Sequence, residues 1–585
     1  MLYRARRLAE AEKLLQPLLD GGSRSADAWR LAGMVARAAG APVAESRLRH
    51  ALALAPRHPE TMNVLGGLML DLGRRDDAER WYRSALEAAP GHPAVTVNLC
   101  RMLLAARRFG EVLALTQPRV SPDAPANLWR VQAEALLQAG RQDEALAAFE
   151  QSLRREPGSG AGQLGRIRAL LALGRFEEVL EAAARAQTPD FVVARAQALV
   201  ALGRWQEALH TALACARSAP AHGRAVFLCA QIMWMQGETD AAAAFLDEML
   251  ERDAGLATDL LCAAAFRGME RYDAASRALA MAEARHGVSA ATRCERVSLH
   301  IDLEEAPAAL SAAEHALALA PDDPEVRVTV VQARLMSGLA EKSLPLIDEA
   351  LARHPSQQFW LAMRCDALRQ LGDPEYERLL DFERMACVYR LSPPEGFDSI
   401  EAYNAVLRER PERLHQVRAH PLDQSLKLGT QTHVDLRFVD DPVVQAFFGI
   451  IRPAIRAYIE AMPADATHPL YARRDPAAVP ASVWSVRLQP GGRHVSHIHP
   501  EGWISSAYYV DVPPRDPGDG PGGALELGAP PFSQPGAGPR RRIPAAPGNL
   551  VLFPSYMWHG TVPSHQGVRL SIAFDVTPTR EPGRH

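Results

Sequence analysis

The chain has little lysine, no paired cysteine spacing and no long apolar run. Only Lys13, Lys342 and Lys427 interrupt a positive charge otherwise carried by arginine, a compositional bias to which no function is attached. With 65 Lys+Arg against 69 Asp+Glu the formal net charge is −4, so no basic field awaits a phosphate backbone and nucleic acid is not an expected partner. No stretch approaches the ~18 consecutive apolar residues of a membrane span, and Met1-Leu2-Tyr3-Arg4 opens straight into an amphipathic pattern without a secretory leader. Membrane partners and export are therefore not expected. The seven cysteines (Cys100, Cys215, Cys229, Cys262, Cys294, Cys365, Cys387) are odd in number, never spaced C-x-x-C and absent after position 387. They read as reduced core residues of a cytoplasmic protein. A P-loop, a dinucleotide-binding Gly fingerprint and a Ser-His-Asp constellation are also missing.

What the 585 residues do contain is enough apolar material, 48% hydrophobic, for more than one core. Over the first two thirds the punctuation repeats at about 34 residues. Glycines expected to close one helix and begin a turn fall at Gly40, Gly73, Gly140, Gly174, Gly203, Gly237, Gly268, Gly338 and Gly372, and Pro56, Pro90, Pro321 and Pro355 keep the same period. Gly73-Arg-Arg-Asp-Asp-Ala78, Gly140-Arg-Gln-Asp-Glu-Ala145 and Gly203-Arg-Trp-Gln-Glu-Ala208 are one turn written three times. A small residue stands four before a large one, as in Ala78 to Tyr82 and Ala145 to Phe149, where paired helices must approach closely. This pattern resembles the tetratricopeptide repeat (TPR), in about ten or eleven copies over residues 1–375. The resemblance implies an all-α superhelical solenoid whose concave surface binds a protein or peptide; a plain spacer or dimerisation arm is the alternative. Arg6-Arg7-Leu8-Ala9-Glu10-Ala11 falls where the period places the turn before a second helix, so the first repeat lacks its first helix. Either the array is capped irregularly or the true start lies upstream.

Residues 376–400 read as a junction, marked by Ser392-Pro-Pro-Glu-Gly396, and residues 401–585 as a second domain. After a helix at Ile400 to Leu414, alternating apolar segments at Val434–Val439, Val483–Leu488, Ile504–Val512, Ala524–Leu527, Leu550–Phe553 and Val568–Val576 predict an all-β jelly roll. A helix over Pro442 to Met462 buttresses it, and the Pro/Gly-rich stretch Pro513 to Gly548 reads as loop broken by one short strand.

The chemistry gathers here. Residues two apart on a strand share a face, so His497 and His499 can reach one metal while His494 points elsewhere. His559, past the strand Leu550–Phe553, is placed as a third ligand from a facing strand. Two assignments compete for the proximal pair: His497 with His499, or His499 with Glu501, the latter disfavoured because Pro500 and Gly502 turn the strand. Imidazoles in this number suit Fe(II) with positions left open, without excluding zinc or manganese. Arg569 and Ser571, two apart on the last strand, make a fork and a hydroxyl for a carboxylate. His415, His420, His494 and His565 read as surface or hydrogen-bonded structural histidines, Arg540-Arg541-Arg542 as a solvated loop face, and Trp503, Trp558 and Phe553 as core around the metal.

Trp484-Ser-Val-Arg-Leu-Gln-Pro-Gly-Gly492, His497-Ile-His-Pro-Glu-Gly-Trp-Ile-Ser-Ser-Ala-Tyr-Tyr-Val510, Leu552-Phe-Pro-Ser-Tyr-Met-Trp-His559 and Arg569-Leu-Ser-Ile-Ala-Phe574 resemble the 2-oxoglutarate and Fe(II)-dependent oxygenases fused to TPR arrays, as does His420 to Thr432. The resemblance, over about residues 380–580, implies a double-stranded β-helix, iron on His497, His499 and His559, O2 as co-substrate, and 2-oxoglutarate on Arg569. Similarity to prolyl hydroxylases adds Tyr509 to the 2-oxoglutarate site and turns Tyr508 away. Ser506-Ala507 and Lys427-Leu428 depart from the family pattern. The expectation is a dioxygenase acting on a protein or peptide side chain. Two rivals stand beside it: a repeat scaffold with an inactive metal-binding jelly roll, and a cupin-like metalloenzyme that does not use 2-oxoglutarate.

Overall fold

The structure, a computed structural model, describes residues 3, 5–184, 188–252, 254–514, 522–534, 536–564 and 566–579; His565, part of the Pro513 to Gly548 loop and the last six residues lie outside them. The chain divides into two compact units, Met1–Arg175 and Phe176–His585.

The first unit is helical throughout, from Leu8–Asp20 to Gly160–Ala172. Caps explain the starts: Ser25, His58, His92 and Ser159 each accept a first-turn N–H, and Pro59 and Pro93 occupy the position where a missing N–H costs nothing. Large side chains fill spaces kept open by glycine on the partner helix. A Cβ at Gly66 would lie 2.6 Å from the Tyr82 ring, and one at Gly165 2.1 Å from Phe149.

The second unit continues the pattern from Phe176–Ala183 to Gln358–Leu371. Left-handed residues give its period more completely than glycine does. Positive φ recurs periodically at Arg6, Gly40, Gly73, Arg107, Gly140, Gly174, Gly203, Gly237, Glu270, Glu304, Gly338 and Gly372, with Gly22, Gly255 and Gly287 also at positive φ but off this period. Every interval is 33 or 34 residues except the 29 from Gly174 to Gly203 (203−174). Arg107, Glu270 and Glu304 thus hold turns that carry no glycine signal. Gly268 differs from the expectation: it still belongs to the helix Leu256–Gly268, and the turn belongs to Glu270.

Strands follow the repeats: β1 Cys387–Arg390, β2 Leu426–Gln431, β3 Val479–His494, β4 Ile504–Asp511, β5 Leu525–Leu527, β6 Arg541–Ile543, β7 Asn549–Pro554, β8 His559–Thr561 and β9 Arg569–Thr577. All pairings are antiparallel, in a six-stranded sheet ordered β1-β7-β4-β9-β3-β2 and a three-stranded sheet ordered β6-β5-β8. Alternation along β9 sorts its two faces. Phe574 meets Phe447 of the helix Pro442–Glu460, which also packs on Tyr508, while Arg569, Ser571 and Asp575 project from the opposite side. Tyr508 is buried as expected and donates to Asn404 Oδ1 at 2.6 Å, on the helix Ile400–Leu414.

Three expectations are corrected. Val434–Val439 is not a strand: Asp435 accepts hydrogen bonds from the Arg437 backbone and side chain and closes a 3-10 turn over Leu436–Phe438. The strand is β2, broken at Leu428, where φ is +50° and the register shifts. β1 lies within the stretch read as a junction, pairing Cys387 with Leu552. Arg540-Arg541-Arg542 is not loop throughout: it runs into β6, where Arg541 donates to the Phe382 and Ala386 carbonyls, while Arg540 and Arg542 stay exposed as expected and pair with Glu377 and Glu526.

Between the helix ending at Leu414 and β2, an extended strap runs along three successive repeat turns within the second unit. Trp205 Nε1 donates to Gln416 Oε1 at 3.3 Å, Arg418 N to the Met235 carbonyl at 2.7 Å, and Trp234 Nε1 to the His420 carbonyl at 2.9 Å. A Cβ at Gly268 would sit 2.4 Å from the Leu422 carbonyl oxygen, so the strap, not the turn, requires that glycine. Val417 and Leu422 are buried among the repeat helices, and Lys427 Nζ ends the run 3.0 Å from Glu270.

Candidate metal centre

His497 leaves β3's end, and His559 begins β8. The two residues face each other as a bridge, His497 N donating to the His559 carbonyl at 2.9 Å and His559 N to that of His497 at 3.0 Å. His499 N reaches the Ser555 carbonyl at 3.1 Å. These backbone bonds bring the three rings together, with one nitrogen of each within 4.8 Å of the others. Glu501 is exposed and outside this group, because a turn closed by Gly502 N on the His499 carbonyl carries it away.

Each Nδ1 faces an acceptor that has no proton to give: the Val495 carbonyl for His497 (2.9 Å), the Met557 carbonyl for His559 (3.0 Å) and the Asp575 carboxylate for His499 (2.5 Å). Nδ1 must therefore carry the proton, and Nε2 presents a lone pair. His497 and His499 Nε2 lie 3.2 Å apart. Two lone pairs at that distance repel unless a cation or proton sits between them, so the donor set fits a divalent metal. Burial, reinforced for His497 by His499, pushes the His497 pKa down to about 3 and that of His559 well below its ordinary value. Those two rings are neutral and ready as ligands.

Asp575 is absent from the sequence-based ligand set, although its parity on β9 with Arg569 and Ser571 places it on the same face. It also accepts from Ser505 Oγ at 2.8 Å. Arg569 is 6% exposed; its NH1 donates to the Gly523 carbonyl at 2.7 Å, its Nε has no partner, and no carboxylate pairs with it among the described residues. Burial lowers its pKa. Ser571 pairs with Tyr509 across β9 and β4, and the Arg569 guanidinium stands 5.5 Å from the Tyr509 ring centroid. The three residues read as an anion site are thus brought to one place.

His494 donates to or accepts from Ser425 Oγ at 3.1 Å and stacks 5.5 Å from His497, a hydrogen-bonded histidine beside the cluster. His415 bridges Thr430 and Ser485, and His420 is buried against Trp234. Phe553 lies 4.7 Å and Trp484 5.6 Å from ligand-set rings. Trp503 and Trp558 are buried and spend their indole N–H groups on the Leu470 carbonyl and on Asp366.

A family model described as "Putative 2OG-Fe(II) oxygenase" matches residues 482–575. Tetratricopeptide-repeat models match residues 41–93, 136–203 and 193–257. No curated protein matches the chain. Among solved structures, a thermophilic TPR protein of Thermus thermophilus is similar at 22% identity, covering 30% of this chain and 100% of its own, with a TM-score of 0.27. Yeast Tom70 is similar at 12% identity (65% and 94% covered, TM-score 0.35), and a tetratricopeptide repeat protein from Parabacteroides merdae at 14% (47% and 98%, TM-score 0.30).

Proposed function

We propose that this chain is an Fe(II)- and 2-oxoglutarate-dependent dioxygenase that hydroxylates a protein or peptide side chain recruited on the concave surface of its repeats. The two antiparallel sheets are read as the walls of a double-stranded β-helix, or jelly roll. Bound in it, Fe(II), 2-oxoglutarate and O2 would supply oxidative decarboxylation to succinate and CO2 coupled to hydroxylation of a C–H bond.

The chain's own residues orient that chemistry. His497, His499 and His559 offer Nε2 to the metal while their Nδ1–H groups stay fixed on acceptors, and Asp575 sets His499's tautomer and puts a negative charge one residue behind the metal. Arg569 gives a carboxylate its guanidinium fork and Ser571 adds a hydroxyl, with Tyr509 flanking them. Phe553 and Trp484 stand beside the rings of His559 and His499. The observation that carries the reading is the buried Arg569 guanidinium, without a carboxylate partner among the described residues, on the strand face that also carries Asp575. An uncompensated buried cation is costly, and a purely structural metal site or a cupin-like enzyme has no need of one. The unpaired cysteines support a cytoplasmic setting.

Anaerobic titration of the purified chain with Fe(II) and then 2-oxoglutarate tests this. A weak visible charge-transfer band is expected; its absence, with no succinate formed in air, would sink the proposal. Arg569→Ala should abolish 2-oxoglutarate binding and keep the metal, so surviving cosubstrate affinity would disprove the clamp.

A further inference from the structure

One contact joins the metal centre to a helix almost two hundred residues earlier. Asp366, on the last repeat helix Gln358–Leu371, is 2% exposed and accepts the Trp558 indole N–H at 2.7 Å. Trp558 immediately precedes His559. Arg369, one turn on, closes a circuit: its NH2 lies 3.2 Å from Asp366 Oδ1, and its NH1 donates to the Gly528 carbonyl at 2.9 Å. Gly528 N in turn donates to the Trp558 carbonyl at 2.8 Å. Trp558 is therefore held by its ring and by its backbone, both times from the same helical turn. The strap holds the other side of the centre, since Val495 N donates to the Ser425 carbonyl at 2.9 Å and the Val495 carbonyl fixes His497 Nδ1.

We propose that the repeat array forms part of the metal centre's framework, with Asp366 the positioning residue for His559, acting through Trp558. The inference rests on the reading of His497, His499 and His559 as metal ligands. A side chain held only by packing would tolerate small rotations. Trp558 is instead oriented by a hydrogen bond to a buried acceptor in a water-excluded place, and His559 follows it in sequence into a bridge with His497. Partner groups that orient metal ligands from behind commonly set metal affinity within about 10- to 100-fold. Asp366 does so from another fold.

The full-length chain, titrated with Co(II) and followed by visible absorption, provides the test. Trp558→Phe removes the N–H together with part of the indole's volume and should weaken Co(II) binding by about tenfold, with the Asp366 variants separating the lost hydrogen bond from the cavity. Asp366→Leu should weaken it similarly, while Asp366→Asn, whose amide oxygen still accepts the indole N–H, should stay near the parent value. The Asp366→Leu/Trp558→Phe pair should bind no worse than Trp558→Phe alone, since both remove one link. Parent-like affinity in Trp558→Phe, or losses that multiply in the pair, overturns the proposal. Should Asp366→Leu fail to fold, Trp558→Phe and Asp366→Asn decide it on the same readout. A parent that takes up no Co(II) overturns the metal-centre reading and this inference together, whereas a binding parent with indifferent variants overturns the inference alone.

Discussion

The repeats of residues 1–175 and those from Phe176 to Leu371 share one sequence grammar and differ in what their turns hold. In the first unit the residue two after the left-handed position is Arg75, Phe109 or Gln142. In the second it is Phe176, 6.4 Å from Phe438, or Trp205, whose indole reaches Gln416 and whose ring lies 5.3 Å from His433. The first unit's surface carries ion pairs between repeats, such as Arg37 with Asp71 and Arg108 with Glu79, each worth little. The second buries a strap and a carboxylate. The contacts that Phe176, Trp205 and Trp234 make are what the second unit's turns add to the shared pattern.

The contrast can be broken most severely by truncation. A chain starting at Phe176 should keep its Co(II) affinity, because every residue placed at the metal centre lies after that position. A chain starting at Glu375 should fail to fold in soluble form, because one apolar core runs from Val297 in the repeats to Val576 in β9. Expression followed by circular dichroism and Co(II) titration checks both; a folded, metal-binding fragment from Glu375 onward would erase the distinction. Next in size, Trp205→Ala should destabilise the second unit by about 3–5 kcal/mol by removing a buried ring. Arg75→Ala at the same turn position should cost within about 0.5 kcal/mol. Denaturant midpoints give both values.

A smaller effect separates the units by pH. Burial, with a contribution from Arg487, pushes the His415 pKa down to about 3, and its ring nitrogens are held by Thr430 and Ser485. The unfolded chain, with a histidine near 6.5, takes up a proton that the folded chain refuses. This stabilising contribution is complete above about pH 6.5 and is lost progressively as pH falls toward 3. His415→Gln should flatten the second unit's stability between pH 7 and 5, measured as urea midpoints. An unchanged slope would show that other groups dominate. Smallest of all, Glu304→Gly should stabilise the second unit by about 1 kcal/mol or less, read as a slightly higher melting temperature, since Glu304 holds φ +57° where glycine is unstrained.

The repeat period is readable from glycine and proline, yet the turns at Arg107, Glu270 and Glu304 give no such signal because non-glycine residues hold the left-handed position there. The helix at Ile400–Leu414 is readable to the residue, since Ser399 caps it and an apolar face follows. β1 and β2 are not: both are short, and the bulge at Leu428 breaks the alternation on which a strand is recognised. At the site, parity along strands is enough to group His497 with His499 and Arg569 with Ser571. The same parity contains Asp575, for a carboxylate sought behind the ligands rather than among them. Asp366 leaves no such trace, because its meaning depends on docking across 192 residues of sequence. Trp205 and Trp234 do leave one, as tryptophans in or beside turns.

Repeat arrays ordinarily change length by gaining or losing whole units, since each repeat contacts only its neighbours. The strap removes that freedom over part of this one. Between Gly203 and Asp366 an inserted or deleted repeat would move Gln416 away from Trp205, or Trp558 away from its acceptor, so this interval is expected to keep a fixed copy number through descent. The Phe176 contact with Phe438 extends the same constraint back to the start of the second unit.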